Sequence, residues 1–560
     1  MNAPVYLRRP PDWEEHEKPA LPGSPAMPWH APWERACYAL VAILVGLTGG
    51  LGNALFTANM PTIQGQLSLA PTEALWLQGA YVTFNATANL LVYKFRQQYG
   101  MRLFTEIGLG VYALLSVLHL VWGSPHSLLW LRAASGMVAA TCTTLALLYM
   151  LQALPRKHVA RMVIVGVGIS QLATPLAWVL SPSLLAHGNW QNLYLFEAGL
   201  ALVAFAAVVV LKLPTGLYIQ SFEPLDFLTM ALLIPGVGLL VAVLLQGTTR
   251  WWLSDPLLGW MLAGAIGLLG AGFCLEHHRR NPLLQTRWYL QAGTVRFIVG
   301  ALILRFLTSE QNYGVVGMMR MLGMSVEQMQ PLFLVILSGM VLGIAVSALT
   351  FKLDNMRLQL VAAAALLGIA AFLDAGRSSL DRPADLFLSQ FLAALGAGVF
   401  MGPMLLQGIL MALRHGPNHM VTVIVTISLT QSLGGLAGAA ALGTYQAHRE
   451  QVYSSLITAH MVPTDPQVSA RLQLQQQAMT SQLTDPVLRA ARARAQLAQV
   501  ARREANVRAY ADVFRALATI AVGYLIWSLL MVPSLERLAA RIQAGSEAGG
   551  PSARASAPSA

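Results

Sequence analysis

Fourteen apolar stretches of about 20 residues each occupy most of this 560-residue chain. A helix needs about 20 apolar residues to cross the hydrocarbon core of a bilayer, so each stretch is long enough to span it. The connecting segments are mostly short and polar. The sequence therefore predicts an all-α polytopic membrane protein. We place the spans at 36–58, 75–95, 103–123, 128–152, 160–183, 192–213, 227–247, 256–275, 295–318, 329–351, 357–375, 386–412, 419–444 and 512–533.

Composition supports lipid as the solvent, because only 11% of the residues are charged and 56% are hydrophobic, whereas soluble domains carry about 25% charge. The net charge of +11 does not form a compact basic face, so no nucleic-acid partner is expected. Neither a CxxC pair, a Cys/His cluster nor the HExxH or GxSxG motif is present. We therefore predict that the chain is not an enzyme and has no cofactor or metal.

Basic residues in the loops set the expected orientation. They concentrate on one side, for example at Arg156, Lys157 and Arg161, while the first three loops on the other side have none. The positive-inside rule then places both termini in the cytoplasm, as an even number of spans requires. Residues 445–511 form a long polar segment on the external side, either a solvated helical hairpin that caps the protein or a docking surface for a periplasmic partner.

Two loops of similar sequence suggest an internal repeat. Lys94–Leu103 follows span 2 and Lys352–Leu358 follows span 10, and both join a basic helix exit to a Met-Arg-Leu helix entrance. Matching them gives two six-helix repeats with two helices inserted between them, as in transporters whose substrate site lies between the halves. The predicted organisation is a disordered cytoplasmic tail (1–35), a six-helix bundle (36–213), two inserted helices with a linker (214–291), a second six-helix bundle including the external loop 445–511 (292–533), and a second disordered cytoplasmic tail (534–560).

Short motifs distributed from about residue 40 to 540 resemble one known family. They are Phe56–Ile63, Trp76 to Tyr81, Arg132–Gly136, Gly188–Trp190 with Tyr194, Gly247 with Trp251–Ser254, Glu276 with Asn281–Leu284, and Ala509–Phe514. In order and spacing they resemble the major facilitator superfamily, and specifically its fourteen-span drug:proton antiporters (EmrB- and QacA-like, DHA2). The resemblance implies the major facilitator fold, with fourteen helices arranged 6+2+6, in a bacterial inner (plasma) membrane.

The chain departs from that family's pattern at three places. The aspartate that the family usually carries in span 1 is replaced by Gly52, and the span 5 antiporter motif survives mainly as Thr174 and Pro175. The gating loop has lost an aspartate and one arginine, which leaves Arg96, Gly100 and Arg102 as the gating-loop candidates. The residue that couples transport to protons is therefore left open by the resemblance.

Ionisable residues inside the predicted spans are functional candidates, since each costs at least about 2.5–3.5 kcal/mol to insert. Glu310 lies deep in span 9, where it either loads a proton in the cavity or pairs with Arg305 or Arg132. Glu197 in span 6 either replaces the missing aspartate or is a hydrogen-bonded interface residue. Arg132 in span 4 shifts the pKa of a neighbouring carboxylate, relays protons, or is an arginine that extends to the membrane interface.

The resemblance implies a secondary active transporter that exports amphipathic or lipophilic compounds by alternating access, driven by protons as in multidrug efflux. An uncoupled or differently coupled carrier and a non-transporting membrane scaffold that uses the external loop are the alternatives. The partners of the implied exporter would be the substrate, protons, the lipid bilayer and, in a tripartite pump, a periplasmic adaptor and an outer-membrane channel. The expected substrate-cavity residues are Asn53, Thr57, Gln78, Asn85, Gln171, Gln311 and Tyr313.

Overall fold

The computed structural model describes residues 6–530, except 9–11, 15–16, 22, 187, 253, 417–418 and 463. The predicted tail 534–560 and the end of the predicted span 512–533 lie outside the described residues. The described part is helical, with one isolated β-bridge between Tyr6 and Ile219.

The α-helices follow the predicted spans closely, because each apolar stretch satisfies its backbone hydrogen bonds internally in this form. In chain order they are α1 Pro32–Ala58, α2 Met60–Gln66, α3 Pro71–Tyr99, α4 Met101–Val121, α5 Pro125–Ala153, α6 Val159–Gln171, α7 Ala173–Leu184, α8 Gln191–Val210, α9 Pro224–Arg250, α10 Pro256–His278, α11 Thr286–Tyr289, α12 Ala292–Leu307, α13 Val316–Met321, α14 Val326–Thr350, α15 Met356–Asp374, α16 Phe387–His415, α17 His419–His460, α18 Pro466–Ala478 and α19 Pro486–Leu530. A π-helical segment, Glu310–Val315, lies between α12 and α13.

Thirteen helical segments of the described chain are long and apolar enough to cross a bilayer. The α6–α7 and α12–α13 pairs each count as one of them, as Arg156–Leu184 and Ala292–Met321. The predicted span 75–95 lies in α3, which has 29 residues but is less apolar because its middle carries Gln78, Asn85 and Asn89. The prediction of an all-α, multi-pass membrane protein is confirmed.

The helices pack as two groups with α9 between them. In the N-terminal group, α1 packs on α5, α7 and α8, and in the C-terminal group, α16 packs on α14 and α15. Helix α9 contacts both α3 and α17, whereas α10 packs chiefly on α9. The groups meet where α14 contacts α6 and α7, where α16 contacts α6, and where α17 contacts α3.

Helices α17 and α19 extend well past membrane length, at 42 and 45 residues. Their extensions pack on one another and account for most of the predicted external loop 445–511, with α18 lying against α19. At the base of this hairpin, Gln446 Nε2 donates to Asn506 Oδ1 at 2.8 Å and Arg449 pairs with Asp512 at 2.6 Å. The polar segment is therefore built from continuous extensions of two membrane helices.

Residues 24–31 differ from the prediction of a disordered tail at 1–35. Ala26 and Met27 are buried, and the Ala26 N–H donates to the carbonyl of Thr215 at 3.0 Å. His30 Nε2 lies 3.0 Å from Gln152 Oε1. This segment packs where the chain leaves α8, because it brings apolar side chains and matched polar groups to that surface.

Candidate functional site

A cavity of about 60 Å³ lies between the two helix groups. The N-terminal group contributes residues from α6 and α7, and the C-terminal group contributes residues from α12, the π-segment, α14 and α16. The lining residues are Gln171, Thr174, Pro175, Arg305, Thr308, Gln311, Asn312, Phe333, Ile336, Met340, Ala397, Phe400 and Met401. Polar groups therefore meet aromatic and methionine side chains in one space between the helix groups.

Two of the helices that line this cavity are interrupted beside it. Helix α6 ends at Gln171 and α7 begins at Ala173, with Pro175 in its first turn. Helix α12 ends at Leu307, and the π-segment Glu310–Val315 follows. Interruptions in membrane helices leave backbone groups available to ligands and are common at functional sites. The two helix interruptions thus indicate a functional site at this cavity, independently of the side chains that line it.

Arg305 is the one charged residue among those lining this cavity in the described chain. Its Nε donates to the Gln431 carbonyl at 2.9 Å and its Nη1 to the Thr308 hydroxyl at 2.8 Å. Both acceptors are neutral, so the positive charge is not compensated by an acidic side chain within the described part. The alternative pairing of Glu310 with Arg305 is not formed in this structure.

Glu310 is instead joined to a second carboxyl group. The amide Nε2 of Gln390 donates to Glu310 Oε1 and to Asp374 Oδ2, both at 2.8 Å. Glu310 is 1% exposed and Asp374 and Gln390 are 0% exposed. Gln311 Nε2 donates to Gln390 Oε1 at 3.3 Å, which links this pair to the cavity, and Arg377 Nε lies 3.3 Å from Asp374 Oδ1. Two carboxyl groups therefore share one amide donor in a site closed to solvent.

Arg132 is held in a buried aromatic sandwich within the N-terminal group. Its guanidinium carbon lies 4.1 Å from the centre of the Phe56 ring and 4.4 Å from that of the Tyr81 ring. Its Nη2 donates to Asn53 Oδ1 at 2.7 Å, and its Nη1 to the Gly52 carbonyl at 3.4 Å. Being 1% exposed, Arg132 does not extend to the membrane surface.

Glu197 lies on the other side of Gly52. Its Oε1 accepts from the Tyr112 hydroxyl at 2.7 Å and from Ser116 at 3.5 Å. A side chain built at Gly52 would clash with Glu197 Oε1 and with the Tyr112 hydroxyl. The carboxyl group of Glu197, which comes from α8, thus occupies the space that a short side chain on α1 would fill.

The remaining predicted cavity residues fall outside the cavity lining. Thr57 donates to carbonyls of its own helix, and Asn85 Nδ2 donates to the Gly136 carbonyl at 3.1 Å. Gln78 is half-buried in α3. Tyr313 packs toward Tyr510, with ring centres 6.2 Å apart. Of the predicted set, the structure brings Gln171 and Gln311 into the cavity lining and places Asn53 on Arg132.

The predicted gating loop is a docking point for the linker after α8. Gly100 joins α3 to α4 with φ of +89°, and its missing side chain makes room for the Tyr218 ring. The Gln98 side chain accepts from the Ser221 and Phe222 N–H groups at 3.2 and 2.9 Å. Glutamine side chains therefore hold this loop, in which the chain has lost the aspartate and one arginine of the family motif.

The other two gating candidates lie on either side of Gly100. Arg96 is buried at the end of α3, with its guanidinium 5.1 Å from the centre of the Tyr93 ring. Arg102 is exposed and pairs with Glu106 at 2.8 Å. Only Arg96 is therefore built into the protein interior.

Contacts between the helix groups lie toward both ends of the bundle. Toward the Ala58 end, Trp178 stacks on Phe333 with ring centres 4.5 Å apart, and Gln330 Nε2 donates to the Val179 carbonyl at 2.9 Å. Toward the opposite end, Asn89 Nδ2 donates to Ser428 Oγ at 2.9 Å. In this arrangement the cavity is smaller than the pockets of about 300–1,000 Å³ that hold ligands of drug size, so the helix groups must move apart to admit one.

The sequence profile of the Major Facilitator Superfamily matches residues 42–439. The chain belongs to the major facilitator superfamily. A search of curated proteins found no significant match. The fold and family together point to a transporter rather than an enzyme.

Solved structures of superfamily transporters share this fold. The human organic anion transporter MFSD10 (TETRAN) is 14% identical, with 87% of this chain and 99% of that one covered and a TM-score of 0.52. A structure of proton dependent oligopeptide transporters is 14% identical, with 90% and 100% covered and a TM-score of 0.55. A bacterial homologue of the human drug peptide transporters PepT1 and PepT2 is 12% identical, with 90% and 99% covered and a TM-score of 0.54. At these identities the likeness shows the superfamily fold alone.

Sequence reasoning passed over Asp374 and Gln390, which complete the Glu310 cluster. Asp374 was visible as an acidic residue inside the predicted span 357–375, the same signal that identified Glu310 and Glu197. Gln390 carried no comparable signal, because glutamines are scattered through the spans. Their spacing of 16 residues along the chain gives no sign that one amide joins two carboxyl groups.

Proposed function

We propose that this superfamily member is a proton-coupled exporter of amphipathic or lipophilic compounds, of the fourteen-span drug:proton antiporter group. The observation that carries the proposal is the buried Glu310–Gln390–Asp374 cluster, which is connected to the cavity through Gln311. One amide holds two carboxyl groups where neither reaches bulk water. A group of this kind can take up and release a single proton during a transport cycle.

In an alternating-access cycle, binding of this proton would shift the equilibrium between the two states of the transporter. When the two helix groups rock about the cavity, the surroundings of Glu310 and Asp374 change, so the proton is bound with different free energy in the two states. Glu197 provides a second buried carboxyl group in the N-terminal group. Its place beside Gly52 supports the interpretation that it replaces the span 1 aspartate of the family.

The proposal includes fourteen spans in a 6+2+6 arrangement, with α3 as the second span, α9 and α10 as the inserted pair, and the two bundles bounded as in the sequence prediction. The 29 residues of α3 are sufficient to cross a bilayer, and its neighbours α5, α9 and α17 shield its polar face. Both termini would then face the cytoplasm of a bacterial cell with the chain in the inner membrane. The hairpin of α17 and α19 would face the periplasm, where an adaptor leading to an outer-membrane channel could contact it.

Transport in reconstituted vesicles tests the coupling. Three probes share a naphthalene ring and differ in charge: 2-naphthalenesulfonamide, 2-naphthalenesulfonate and 2-naphthyltrimethylammonium. We expect an imposed proton gradient to drive accumulation of at least one probe. Glu310→Gln and Asp374→Asn should each reduce this accumulation by about tenfold or more, because a neutral amide cannot carry the proton, while exchange of labelled for unlabelled probe continues.

Glu106→Gln is the matched control, since Glu106 forms a partly exposed ion pair with Arg102 at the end of α4. It should transport like the native protein. Accumulation without any gradient dependence would identify an uncoupled carrier. If no probe moves in the native protein, the transport proposal is wrong and the scaffold alternative gains support.

A further inference from the structure

The half-buried guanidinium of Arg305 faces the inter-group cavity without an acidic partner in the described chain. Inserting a charge at membrane depth costs about 2.5–3.5 kcal/mol or more, so an uncompensated one needs an explanation beyond packing. The Gln431 carbonyl and the Thr308 hydroxyl satisfy Nε and one N–H of Nη1. No acceptor is assigned to Nη2 among the described residues. The cation therefore retains donors for a group that enters the cavity.

Two glycines of α17 create the space in which this guanidinium lies. A Cβ added at Gly435 would lie 2.9 Å from Arg305 Nη2 and 3.2 Å from Nε, and one at Gly434 would lie 3.2 Å from Arg305 Cγ. Both positions are tighter than ordinary carbon contacts. The glycine pair, together with the Gln431 carbonyl on the same helix, thus fixes the arginine at the cavity wall.

The remainder of the cavity wall divides into polar and apolar parts. Gln171, Thr174 and Asn312 add uncharged polar groups, whereas Phe333 and Phe400 add aromatic surface. Planar guanidinium groups bind carboxylates, sulfonates and phosphates with charge-assisted hydrogen bonds. Aromatic walls bury the flat apolar body of a ligand.

We infer that the substrate of this transporter is an amphipathic organic anion, whose single anionic group binds Arg305 and whose apolar body lies against Phe333 and Phe400. The inference rests on the proposed transport function and specifies its substrate class. It also changes the charge balance of the cycle, because exporting a monoanion against an incoming proton moves one more positive charge inward than exporting a neutral compound. An inside-negative membrane potential would favour this exchange.

Equilibrium binding to the purified full-length protein in detergent tests the inference. We expect 2-naphthalenesulfonate to bind at least about tenfold more tightly than 2-naphthalenesulfonamide or 2-naphthyltrimethylammonium, in calorimetry or tryptophan-quenching titrations. Arg305→Gln should abolish this preference and leave sulfonamide binding unchanged, and Arg305→Lys should keep part of it. Arg296→Gln, an exposed arginine on the same helix, should keep all of it.

The ranking of the three probes on the native protein decides the inference even if Arg305→Gln fails to fold. Equal affinities, or a sulfonate preference that survives Arg305→Gln, would overturn it. Sodium sulfate should compete weakly, and competition as strong as that of the sulfonate would show a site for bare anions and overturn the amphipathic part. Proton-driven movement of the sulfonamide without a sulfonate preference rejects this inference alone. Sulfonate binding through Arg305 without proton-driven movement of any probe rejects only the proposed function.

Discussion

Gly52 shows how one missing side chain determines the position of a charge. The residue lies between Arg132, whose guanidinium donates to its carbonyl, and Glu197, whose carboxyl group lies against its Cα. A methyl group here would displace the carboxyl group or the Tyr112 hydroxyl that donates to it. The glycine is therefore part of the Glu197 site, although it has no functional group.

We expect Gly52→Ala to lower the free energy of unfolding by about 1–3 kcal/mol, the usual cost of overpacking a buried site. Gly267→Ala on α10 is the control, since an added Cβ there meets nothing within 4 Å. Thermal unfolding of both variants in detergent measures the difference. Equal stability would show that the Glu197 carboxyl group can move aside freely.

At the scale of single residues, the sequence identified as functional candidates the charged residues that lie inside apolar spans. Glu197, Glu310 and Arg132 were identified in this way, and the structure buries all three. The sequence could not indicate their partners. Glu310 meets Asp374 instead of Arg305 because the packing of α15 and α16 brings a distant carboxyl group and amide together.

At the scale of elements, the α17–α19 hairpin combines a tight base with a peripheral tip. At the base, Asp512 accepts from Arg449 at 2.6 Å, from Tyr453 at 2.9 Å and from Arg515 at 2.8 Å. Beyond it, α18 has no buried residue and packs on α19. The base thus ties two membrane helices together, whereas the tip adds little to the fold.

Replacing residues 461–485 with a short Gly-Ser linker should leave proton-driven probe accumulation within about twofold of the native level, because it removes α18 and keeps the base.

Asp512→Ala should instead speed amide hydrogen exchange across both helix extensions by about tenfold, since three donors lose their acceptor. Vesicle transport measures the effect of the linker replacement, and hydrogen-exchange mass spectrometry measures the effect of Asp512→Ala. Loss of all transport on shortening the tip would favour a role for the hairpin beyond structure.

At the scale of the whole molecule, the two helix groups pack against one another on either side of the cavity. Toward the Ala58 end, the groups are joined by the Trp178–Phe333 stack and by the hydrogen bond from Gln330 to the Val179 carbonyl. Arg320 Nη2 also donates to the Ala58 carbonyl at 2.9 Å. Individual contacts of this kind can break and re-form in a transporter, because states that differ by a few kcal/mol can exchange during a cycle.

Gln330→Ala should open that end more often, since a lost hydrogen bond of about 1 kcal/mol shifts a two-state equilibrium by about fivefold. A cysteine at Thr174 in the cavity should then react about fivefold faster with a membrane-impermeant thiol reagent supplied from that side. The measurement uses a background with Cys37 and Cys274 replaced by serine. Ser338→Ala, an exposed position on the same helix, should leave the labelling rate unchanged.

By itself, the sequence determined that the helices lie in a lipid bilayer and that the fold is all-α. Runs of about 20 apolar residues fix membrane-length helices, because the bilayer accepts few other forms of backbone. The family motifs, spread along the chain, anticipated the superfamily. These are local properties, readable within one or two helices.

Only the tertiary structure decided how the few buried charges are arranged. Glu197 fills the space beside Gly52 across 145 positions of sequence, Gln390 joins Glu310 to Asp374, and Arg305 is left facing the cavity. Apolar helices can pack in many registers with similar burial, so hydropathy alone does not select these neighbours. The partners of each charge are set by the packed bundle as a whole.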